Sequence, residues 1–505
     1  AMQLLAVLSV LAGTCSGLRS SGPFWKQAMP SGGTSRMWCK NTHSPENVEL
    51  ERLQGPAHSN LKQALDRLDH RVGQLPWWSG AKAARRGQLC EQQMTSKLGS
   101  AMTSLVHPTG SYAQHWRATP FPLSPASLLN ASATHGYTGA TLRLERVAAK
   151  LLLGEPVKIV ALGGSMTEGR ESTTSWPKRL GELLSEMGYP VAVRNLGQGG
   201  TTTTTAVHHV HTWMGEFRQA DLVLIDYSIN DDTATPLKAG GGVFNGPGAA
   251  RKSFKDLVAL LLALPSKPAI LSILSSHSDP HYCSDNAGTG VKCGSCDSDV
   301  TDFFHWEAAK DLKIPVLFYP AAVCASGSLH WLNWAGYPAW NHPHDMTHDL
   351  FARAVLGSLL LHAKDVCNEG FTGSDFLPTR VQPETLCVAE KPLTMVGNFD
   401  PASFVPLVHD KSWVYQDWGY KGGWFANETK GEIAFAISTK VGWVHLEFEG
   451  GPVYASADVY MDSGRAAPCR VTAYETASHY SSTMYETIKI GAAGKHTLHI
   501  RSNGN

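Results

Sequence analysis

From Val157 onward, short continuous apolar runs alternate with stretches in which apolar residues recur at helical spacing. Runs of this length are typical of buried strands, and the spaced stretches are typical of amphipathic helices. The predicted strands are Val157–Leu162, Pro190–Arg194, Leu222–Asp226, Ala269–Leu274 and Pro315–Tyr319. The predicted helices are Trp176–Met187, Ala206–Phe217, Ala249–Leu264, Phe303–Leu312 and Leu350–Ala363. Strands separated by such helices are parallel, so residues 141–368 are predicted to form a doubly wound, flavodoxin-like α/β domain with a five-stranded parallel sheet.

The pattern changes after Cys367. A Gly- and Pro-containing connector at residues 369–392 leads to stretches of alternating apolar and polar residues, such as GEIAFAIS, GWVHLEFEG and HTLHIRS. Alternation with a period of two indicates strands with one buried face, and the Gly, Asn and Asp between them indicate turns. Residues 393–505 are therefore predicted to form an antiparallel β-sandwich. Because the chain ends just after HTLHIRS, this domain is expected to be incomplete at its C-terminus.

The N-terminal part has no comparable pattern. It opens on MQLLAVLSVLAGTCSG, an apolar stretch of signal-peptide length that ends in small residues, and residues 1–18 are predicted to be a signal peptide. A buried N-terminal helix is the alternative. Residues 19–140 are rich in Gly, Ser, Pro and Trp and contain one predicted helix, Ser59–Leu75. We expect them to form an extension that is partly helical and otherwise irregular.

Composition narrows the choice of partners. The 505 residues exceed a single typical domain, and Lys+Arg and Asp+Glu both number 43, so the formal net charge is zero. A balanced charge gives no electrostatic basis for binding nucleic acid or an anionic membrane. No segment reaches about 18 consecutive apolar residues, so no membrane span is expected.

Cysteine usage indicates export. Cys283, Cys293 and Cys296 share a loop rich in Gly, Ser and Asp, which favours a local disulfide over a zinc site because there is only one CxxC pair. Asn130 and Asn427 begin potential glycosylation sequons. Together with the apolar leader, these features predict a secreted or cell-surface protein. They leave the disulfide pairing and the oligomeric state open.

The first predicted strand ends in the sequence GGSMTEG. A phosphate-binding loop would need a lysine after Gly169, and a dinucleotide-binding loop would need GxGxxG, so neither pattern is present. A serine between glycines at a strand-to-helix turn fits a nucleophile, because the glycines allow a tight turn and close substrate approach. The alternative for Ser165 is a helix cap.

A nucleophilic serine needs a base, an orienting acid and donors for an oxyanion. NLGQGGTT follows the second strand and offers the backbone N–H of Gly200, with Gly199 as the neighbouring candidate. DYSINDD follows the third strand and offers the amide of Asn230, and HPHDMTHD precedes the last helix and contains Asp345 and His348 at i, i+3. These groups are expected at the same edge of the sheet.

This ordered set resembles the SGNH (GDSL-type) hydrolase superfamily, over roughly Val157 to Ala363. The resemblance implies that Ser165 is the nucleophile, that His348 is the general base and that Asp345 orients it. It also implies an oxyanion hole made of the Ser165 and Gly200 N–H groups and the Asn230 side chain. The sequence departs from the family where Gly164 replaces the aspartate of GDS and where Ser228 replaces a glycine.

Several side chains have alternative explanations. His342, His344, His348 and Asp345 could form a metal site, and His208, His209 and His211 form a second histidine group. The resemblance accounts for Asp345 and His348 without metal and leaves His342 and His344 unassigned, so neither a metal nor a cofactor is expected. Trp331, Trp334 and Trp340 are predicted to line a substrate surface, or else to be packing residues.

The expected function is that of a secreted serine esterase acting through an acyl-enzyme. An O-acyl or O-acetyl group on a carbohydrate is the favoured substrate, so the partner would be a small-molecule or polysaccharide ester. Two alternatives remain open at this point. The same triad could transfer acyl groups to an acceptor, or the scaffold could be a non-catalytic carbohydrate-binding or structural protein.

Overall fold

The computed structural model divides the chain into two compact units. The α/β unit comprises Leu50–Gly240 and Asn245–Pro383, and the β unit comprises Ala1–Glu49, Gly241–Phe244 and Glu384–Asn505. The structure describes residues 4–6, 98–108, 110, 112–116, 121–210, 213–233, 247–275, 299–324, 342–369, 374–375, 405–417, 422–428, 430–439, 443–450, 456–462, 469–472, 482–489 and 494–503. Predictions that lie outside the described residues concern the helix Ser59–Leu75, the loop with Cys283, Cys293 and Cys296, and Trp331, Trp334 and Trp340.

The described strands and helices are as follows. The strands are β1 (Leu4–Ala6), β2 (Val157–Gly163), β3 (Val191–Asn195), β4 (Leu222–Asp226), β5 (Ala269–Leu274), β6 (Val316–Phe318), β7 (Val408–His409), β8 (Trp413–Asp417), β9 (Gly422–Ala426), β10 (Glu432–Thr439), β11 (Trp443–Gly450), β12 (Ser456–Met461), β13 (Cys469–Thr472), β14 (Ser482–Lys489) and β15 (Gly494–Asn503). The helices are α1 (Gly99–Leu105), α2 (Tyr112–His115), α3 (Pro125–Ser132), α4 (Leu142–Leu153), α5 (Ser165–Glu168), α6 (Trp176–Glu186), α7 (Thr203–His209), α8 (Met214–Phe217), α9 (Ser228–Thr233), α10 (Pro247–Leu262), α11 (Phe304–Asp311), α12 (Tyr319–Val323) and α13 (Asp345–Glu369).

The α/β unit is built on a five-stranded parallel sheet in the order β3-β2-β4-β5-β6. This is the doubly wound, flavodoxin-like order, so the predicted fold class is confirmed. Strands β4 and β5 are buried along their whole length, because helices cover both faces of the sheet. In this topology the turns after β2, β3 and β4 lie at one edge, where a site can form.

Two predicted helices differ most from the observed limits. The predicted helix Ala206–Phe217 is two helices, α7 and α8, and α7 begins earlier because Thr202 and Thr205 form a capping box. The last helix begins at Asp345 rather than Leu350. Its first turn is polar yet buried, and apolar periodicity therefore does not detect it.

The region predicted as an N-terminal extension contributes to the α/β core from Leu98 onward. Leu105 in α1 and Leu128 in α3 are fully buried in the same hydrophobic cluster as Leu356 of α13. A buried ion pair lies close by, in which Arg353 Nε donates to Asp349 at 2.6 Å. Asp349 also accepts from Arg179 of α6 at 2.8 Å. Helix α13 is therefore held from two sides.

The β unit consists of antiparallel strands, as predicted. A five-stranded sheet has the order β13-β12-β15-β10-β7, and smaller sheets join β1, β9 and β8 and pair β11 with β14. The register of β10 and β15 pairs Ile433 with Ile500 and Phe435 with Leu498. All four side chains are buried, so this sheet contributes one face to a hydrophobic core.

No helix in the described part of the chain combines the length and apolar character needed to cross a bilayer.

Candidate active site

Ser165 is the first residue of α5 and follows β2 after a single intervening glycine. Side chains are excluded at both glycines before it. A β-carbon at Gly163 would lie 1.9 Å from Thr167 Oγ1, and one at Gly164 would lie 2.2 Å from Asn230 Nδ2. The glycines thus permit the turn after β2 to pack against α5 and against Asn230, which brings Asn230 beside the backbone of the serine turn.

Asp226, the last residue of β4, supports the turn that contains Ser165 through hydrogen bonds. Its Oδ2 accepts hydrogen bonds from Thr167 Oγ1 at 2.8 Å and from Trp176 Nε1 at 3.1 Å. Its Oδ1 has no hydrogen-bond partner among the described residues. Burial raises the pKa of Asp226 to about 6, against the effect of the two donors. The turn therefore has a buried carboxyl support, although Gly164 occupies the position of the missing aspartate.

Asn230 lies at the end of the sheet where it was expected. Its Nδ2 donates to Thr201 O at 2.5 Å, and the amide nitrogen carries a second hydrogen. The next residue, Asp231, is fully buried and accepts from Thr203 N at 3.0 Å and from Thr203 Oγ1 at 2.6 Å. These bonds tie α9 to the start of α7 and thereby fix the position of Asn230.

The glycine turn after β3 approaches the serine. A β-carbon at Gly199 would lie 3.7 Å from Ser165 Cβ and 2.8 Å from Glu168 Oε2. Gly200 adopts a left-handed backbone with φ of 70°. The structure brings the Gly199–Gly200 turn to Ser165, and the role of the Gly200 N–H as an oxyanion donor stays a prediction.

His342 is the imidazole that contacts the serine. Its Nε2 lies 2.8 Å from Ser165 Oγ, and its Nδ1 lies 3.2 Å from Glu171 Oε1. Burial lowers the pKa of His342, the negative charge of Glu171 raises it in part, and Arg170 lowers it. A neutral imidazole between a hydroxyl and a carboxylate is able to accept the hydroxyl proton.

Glu171 reaches His342 from the loop after α5. Its side chain is 46% exposed, whereas that of His342 is 19% exposed. Its backbone is left-handed, with φ of 64°, a conformation that costs a non-glycine residue about 1–3 kcal/mol and concentrates at functional sites. The left-handed backbone therefore makes Glu171 a candidate functional residue.

The structure places His348 and Asp345 in other contacts. His348 is buried, and its Nδ1 accepts from Trp176 N at 3.1 Å, while Nε2 has no partner among the described residues. Burial lowers its pKa to about 3. Asp345 accepts from Thr173 N at 2.7 Å, from Thr174 N at 3.0 Å and from Thr173 Oγ1. His342, and not His348, therefore contacts Ser165, because the His348 ring is turned into the protein interior, and the role of general base stays a prediction.

A sequence signal for His342 existed. Pro343 follows it directly, and a residue before proline disfavours the helical conformation, so His342 stays in the loop at the open edge of the sheet. His348, in contrast, lies one turn inside α13. No periodicity or spacing pointed to Glu171, which meets His342 across 171 positions of the chain.

The residues that were considered as metal ligands make other contacts in the structure. The side chains of His342, Asp345 and His348 each turn to a separate set of contacts. Within the described ranges, no three His, Cys, Asp or Glu side chains are arranged to hold a metal ion. Of the second group, His209 is buried and its ring lies 5.7 Å from that of Trp213, and His211 lies outside the described residues.

Comparison with known proteins gives matches in structure only. No family model matches the sequence, and no curated protein sequence matches it. One similar solved structure is a two-domain esterase (CEX) active on acetylated mannans, co-crystallised with mannopentaose, with 19% identity, a TM-score of 0.46 and coverage of 72% of this chain and 90% of that chain.

Two further similar structures match mainly over a smaller part of this chain. The SGNH-hydrolase family esterase AlinE4 has 17% identity and a TM-score of 0.25, and the match covers 32% of this chain and 76% of that chain. A family 3 carbohydrate esterase from Clostridium thermocellum has 14% identity and a TM-score of 0.28, and the match covers 40% of this chain and 94% of that chain. The structures to which this chain is similar thus include an SGNH-hydrolase family esterase and a lipolytic protein of the G-D-S-L family, and the likeness is one of fold.

Proposed function

We propose that this protein is a serine esterase in which Ser165 is the nucleophile and His342 is the general base. The observation that carries the proposal is the 2.8 Å hydrogen bond between Ser165 Oγ and His342 Nε2. Nucleophile and base within hydrogen-bond reach, with a third group on the far side of the base, is the arrangement that activates a serine hydroxyl. Asn230 and the Gly199–Gly200 turn supply donors beside it.

The mechanism follows from these positions. Ser165 Oγ attacks the ester carbonyl carbon while its proton passes to His342 Nε2, and the carbonyl oxygen becomes an oxyanion. The free hydrogen of Asn230 Nδ2 and the backbone N–H groups of Ser165 and Gly200 stabilise that charge. The bond to the leaving oxygen then breaks, and this oxygen takes the proton from His342. Water repeats the sequence on the acyl-enzyme and releases the acid.

The substrate we propose is a small acyl group, such as acetyl, on a carbohydrate hydroxyl. Support comes from the polar surroundings of the nucleophile, where Arg170 is exposed and Glu171 is half-exposed. Hydrogen-bonding groups at the mouth of a site suit a polar alcohol portion.

We place the protein in the secretory pathway or outside the cell. Cys324 and Cys367 are both disulfide-bonded, which fits an oxidising compartment. Asn130 and Asn427 are both exposed, as glycosylation would require. Intact-mass measurement of the secreted protein before and after enzymatic deglycosylation tests this proposal. A mass without glycan or disulfides would count against it.

The primary test is turnover of p-nitrophenyl acetate by the wild-type protein and by Ser165→Ala. Loss of the nucleophile is expected to lower kcat by roughly 1,000-fold or more. Equal rates in both proteins would reject the esterase proposal and leave the non-catalytic scaffold as the explanation. Acetate release from a panel of acetylated polysaccharides then tests the carbohydrate substrate. Acetyl transfer to an added sugar, in excess of acetate release, would favour the acyltransferase.

A further inference from the structure

The loop of residues 169–174 connects α5 to the segment before α6, and it carries a carboxylate to the base. Gly169 has φ of 93° and Glu171 has φ of 64°, so the backbone bends twice through the left-handed region. Within the bend, Ser172 N and Ser172 Oγ donate to Gly169 O at 3.1 and 2.7 Å. The result is that Glu171 Oε1 lies 3.2 Å from His342 Nδ1.

The same loop is fastened at its far end by Asp345. One carboxylate oxygen accepts from Thr173 N at 2.7 Å and from Thr174 N at 3.0 Å, and the other accepts from Thr173 Oγ1. Asp345 is only 5% exposed. Both oxygens are therefore engaged by the loop, two residues beyond Glu171.

We propose that Glu171 is the carboxylate partner of His342, and that Asp345 is a positioning residue that acts through Glu171 by anchoring Thr173 and Thr174. This inference rests on the proposed esterase function. In this assignment the acid of the triad is Glu171, in the loop after Ser165, and not Asp345, in the helix after His342.

Geometry and charge support this division of roles. When Ser165 gives its proton to Nε2, the imidazole becomes a cation, and the Glu171 carboxylate stabilises that cation through Nδ1–H. The same contact keeps the proton on Nδ1 and leaves Nε2 free to accept. The charged or titratable groups that act on His342 are Glu171 and Arg170 from the loop and His348 from α13, with His344 and Asp345 beside His348. Among them, Glu171 has the hydrogen bond to the His342 ring.

The loop explains why Asp345 matters without touching the base. A left-handed glutamate tends to relax to an extended backbone unless neighbouring contacts hold it. The bonds from Asp345 to Thr173 and Thr174 are contacts of this kind. They fix the loop to Asp345 at the start of α13, three residues after His342. Glu171 and His342 are therefore both held close to Asp345 along the chain or through its hydrogen bonds.

The experiment compares Glu171→Gln, Glu171→Asp and Asp345→Asn by pH profiles of kcat and kcat/KM with p-nitrophenyl acetate. Glu171→Gln is expected to lower kcat by roughly 10- to 1,000-fold with little change in KM, less than for a buried triad acid because Glu171 is half-exposed. The acidic limb of its profile moves to lower pH, since removing the carboxylate charge lowers the pKa of His342 further. Glu171→Asp, which keeps the charge, restores part of kcat.

Glu186→Gln is the matched control. Glu186 is 54% exposed and pairs with Arg179 at 2.9 Å, so its neutralisation removes a comparable surface carboxylate away from the Ser165–His342 pair. It is expected to leave the pH profile unchanged. If Glu171→Gln behaves like Glu186→Gln in both kcat and the acidic limb, the assignment of Glu171 is rejected.

The role of Asp345 is tested by a double mutant. If Asp345 acts through Glu171, then Glu171→Gln/Asp345→Asn is no slower than Glu171→Gln alone, whereas two independent contributions would multiply. Thr173→Val, which removes only the hydroxyl donor, gives a second route if Asp345→Asn does not fold. Activity that survives Ser165→Ala would overturn the proposed function itself. Activity that is lost in Ser165→Ala but unaffected in Glu171→Gln overturns only this inference.

Discussion

Thr167 Oγ1 donates a 2.8 Å hydrogen bond to Asp226 Oδ2, and this bond joins the helix that begins at Ser165 to the end of the adjacent strand. The register of the sheet places Asp226 beside the start of this helix, because Gly163 of β2 pairs with Asp226 of β4. Trp176 Nε1 donates to the same oxygen and extends the connection to α6. Ser165 is therefore positioned from the neighbouring strand rather than from the residue before it.

Thr167→Val is expected to weaken this support. Thr167 is fully buried, and valine has the same shape but no donor for Asp226. The lost bond should reduce the free energy of unfolding by about 1–3 kcal/mol, and kcat should fall because the serine turn loses a fixed point. Urea denaturation and steady-state kinetics measure the two effects. Thr167→Ser keeps the hydroxyl and should retain most of both; equal kcat in the valine and serine variants would contradict the expectation.

The identity of the base is tested by a pair of matched substitutions. His342→Asn removes the imidazole that contacts Ser165 and should lower kcat by roughly 1,000-fold or more. His348→Asn retains a side-chain acceptor for Trp176 N, and it should keep wild-type kcat at pH 7 in the fraction that is folded. Active-site titration normalises for that fraction. The reverse ranking of the two variants would return the base to His348.

His348 also makes stability depend on pH. Its pKa in the folded protein is about 3, against about 6.5 in an unfolded chain, so the unfolded state binds the proton first as pH falls. The stability that its burial as a neutral ring provides is complete above pH 6.5 and is lost progressively down to about pH 3, at up to about 1.4 kcal/mol per pH unit. Urea denaturation of wild type and His348→Asn between pH 7 and 4 should show a shallower decline in the variant.

Asp226 acts in the opposite direction. Its pKa in the folded protein is raised to about 6, above the value of about 3.9 in an unfolded chain, so the folded state takes up the proton first as pH falls. Its contribution to stability is therefore fully present below pH 3.9 and is lost as pH rises through 6. Relative to Asp226→Asn, the wild-type protein should gain up to about 3 kcal/mol between pH 7 and 4. A constant difference across this range would contradict a raised pKa.

The strands were predictable because buried parallel strands are nearly continuous apolar runs. Leu222–Asp226 and Ala269–Leu274 have the predicted limits, and Ser165 and Asn230 follow their strands at the predicted edge. Spacing did not single out His342 as the ring that contacts Ser165. An i, i+3 pair in a helix fixes relative position along that helix, but burial decides which ring faces the serine, and the His348 ring faces the interior.

The carboxylate beside His342 could not be found from local pattern at all. Glu171 and His342 meet because two loops from distant parts of the chain approach one another, and neither loop has periodic apolar residues. The start of α13 was missed for a related reason. Asp345, Thr347, His348 and Asp349 are polar residues that are buried, and hydrophobic periodicity treats such residues as exposed.

The buried Arg353–Asp349 pair has a consequence for where the α/β unit can be cut. Arg353 Nη1 also donates to Ser104 O at 2.5 Å, and its guanidinium lies 5.6 Å from the centre of the Phe121 ring. An expression variant that begins at residue 141 would remove both contacts while the ion pair with Asp349 remains, and the loss of a hydrogen bond to a charged group costs about 1.5–3 kcal/mol. The minimal folding unit of the α/β unit therefore extends upstream to Leu98 at least, and the segment from 98 to 140 is part of its interior.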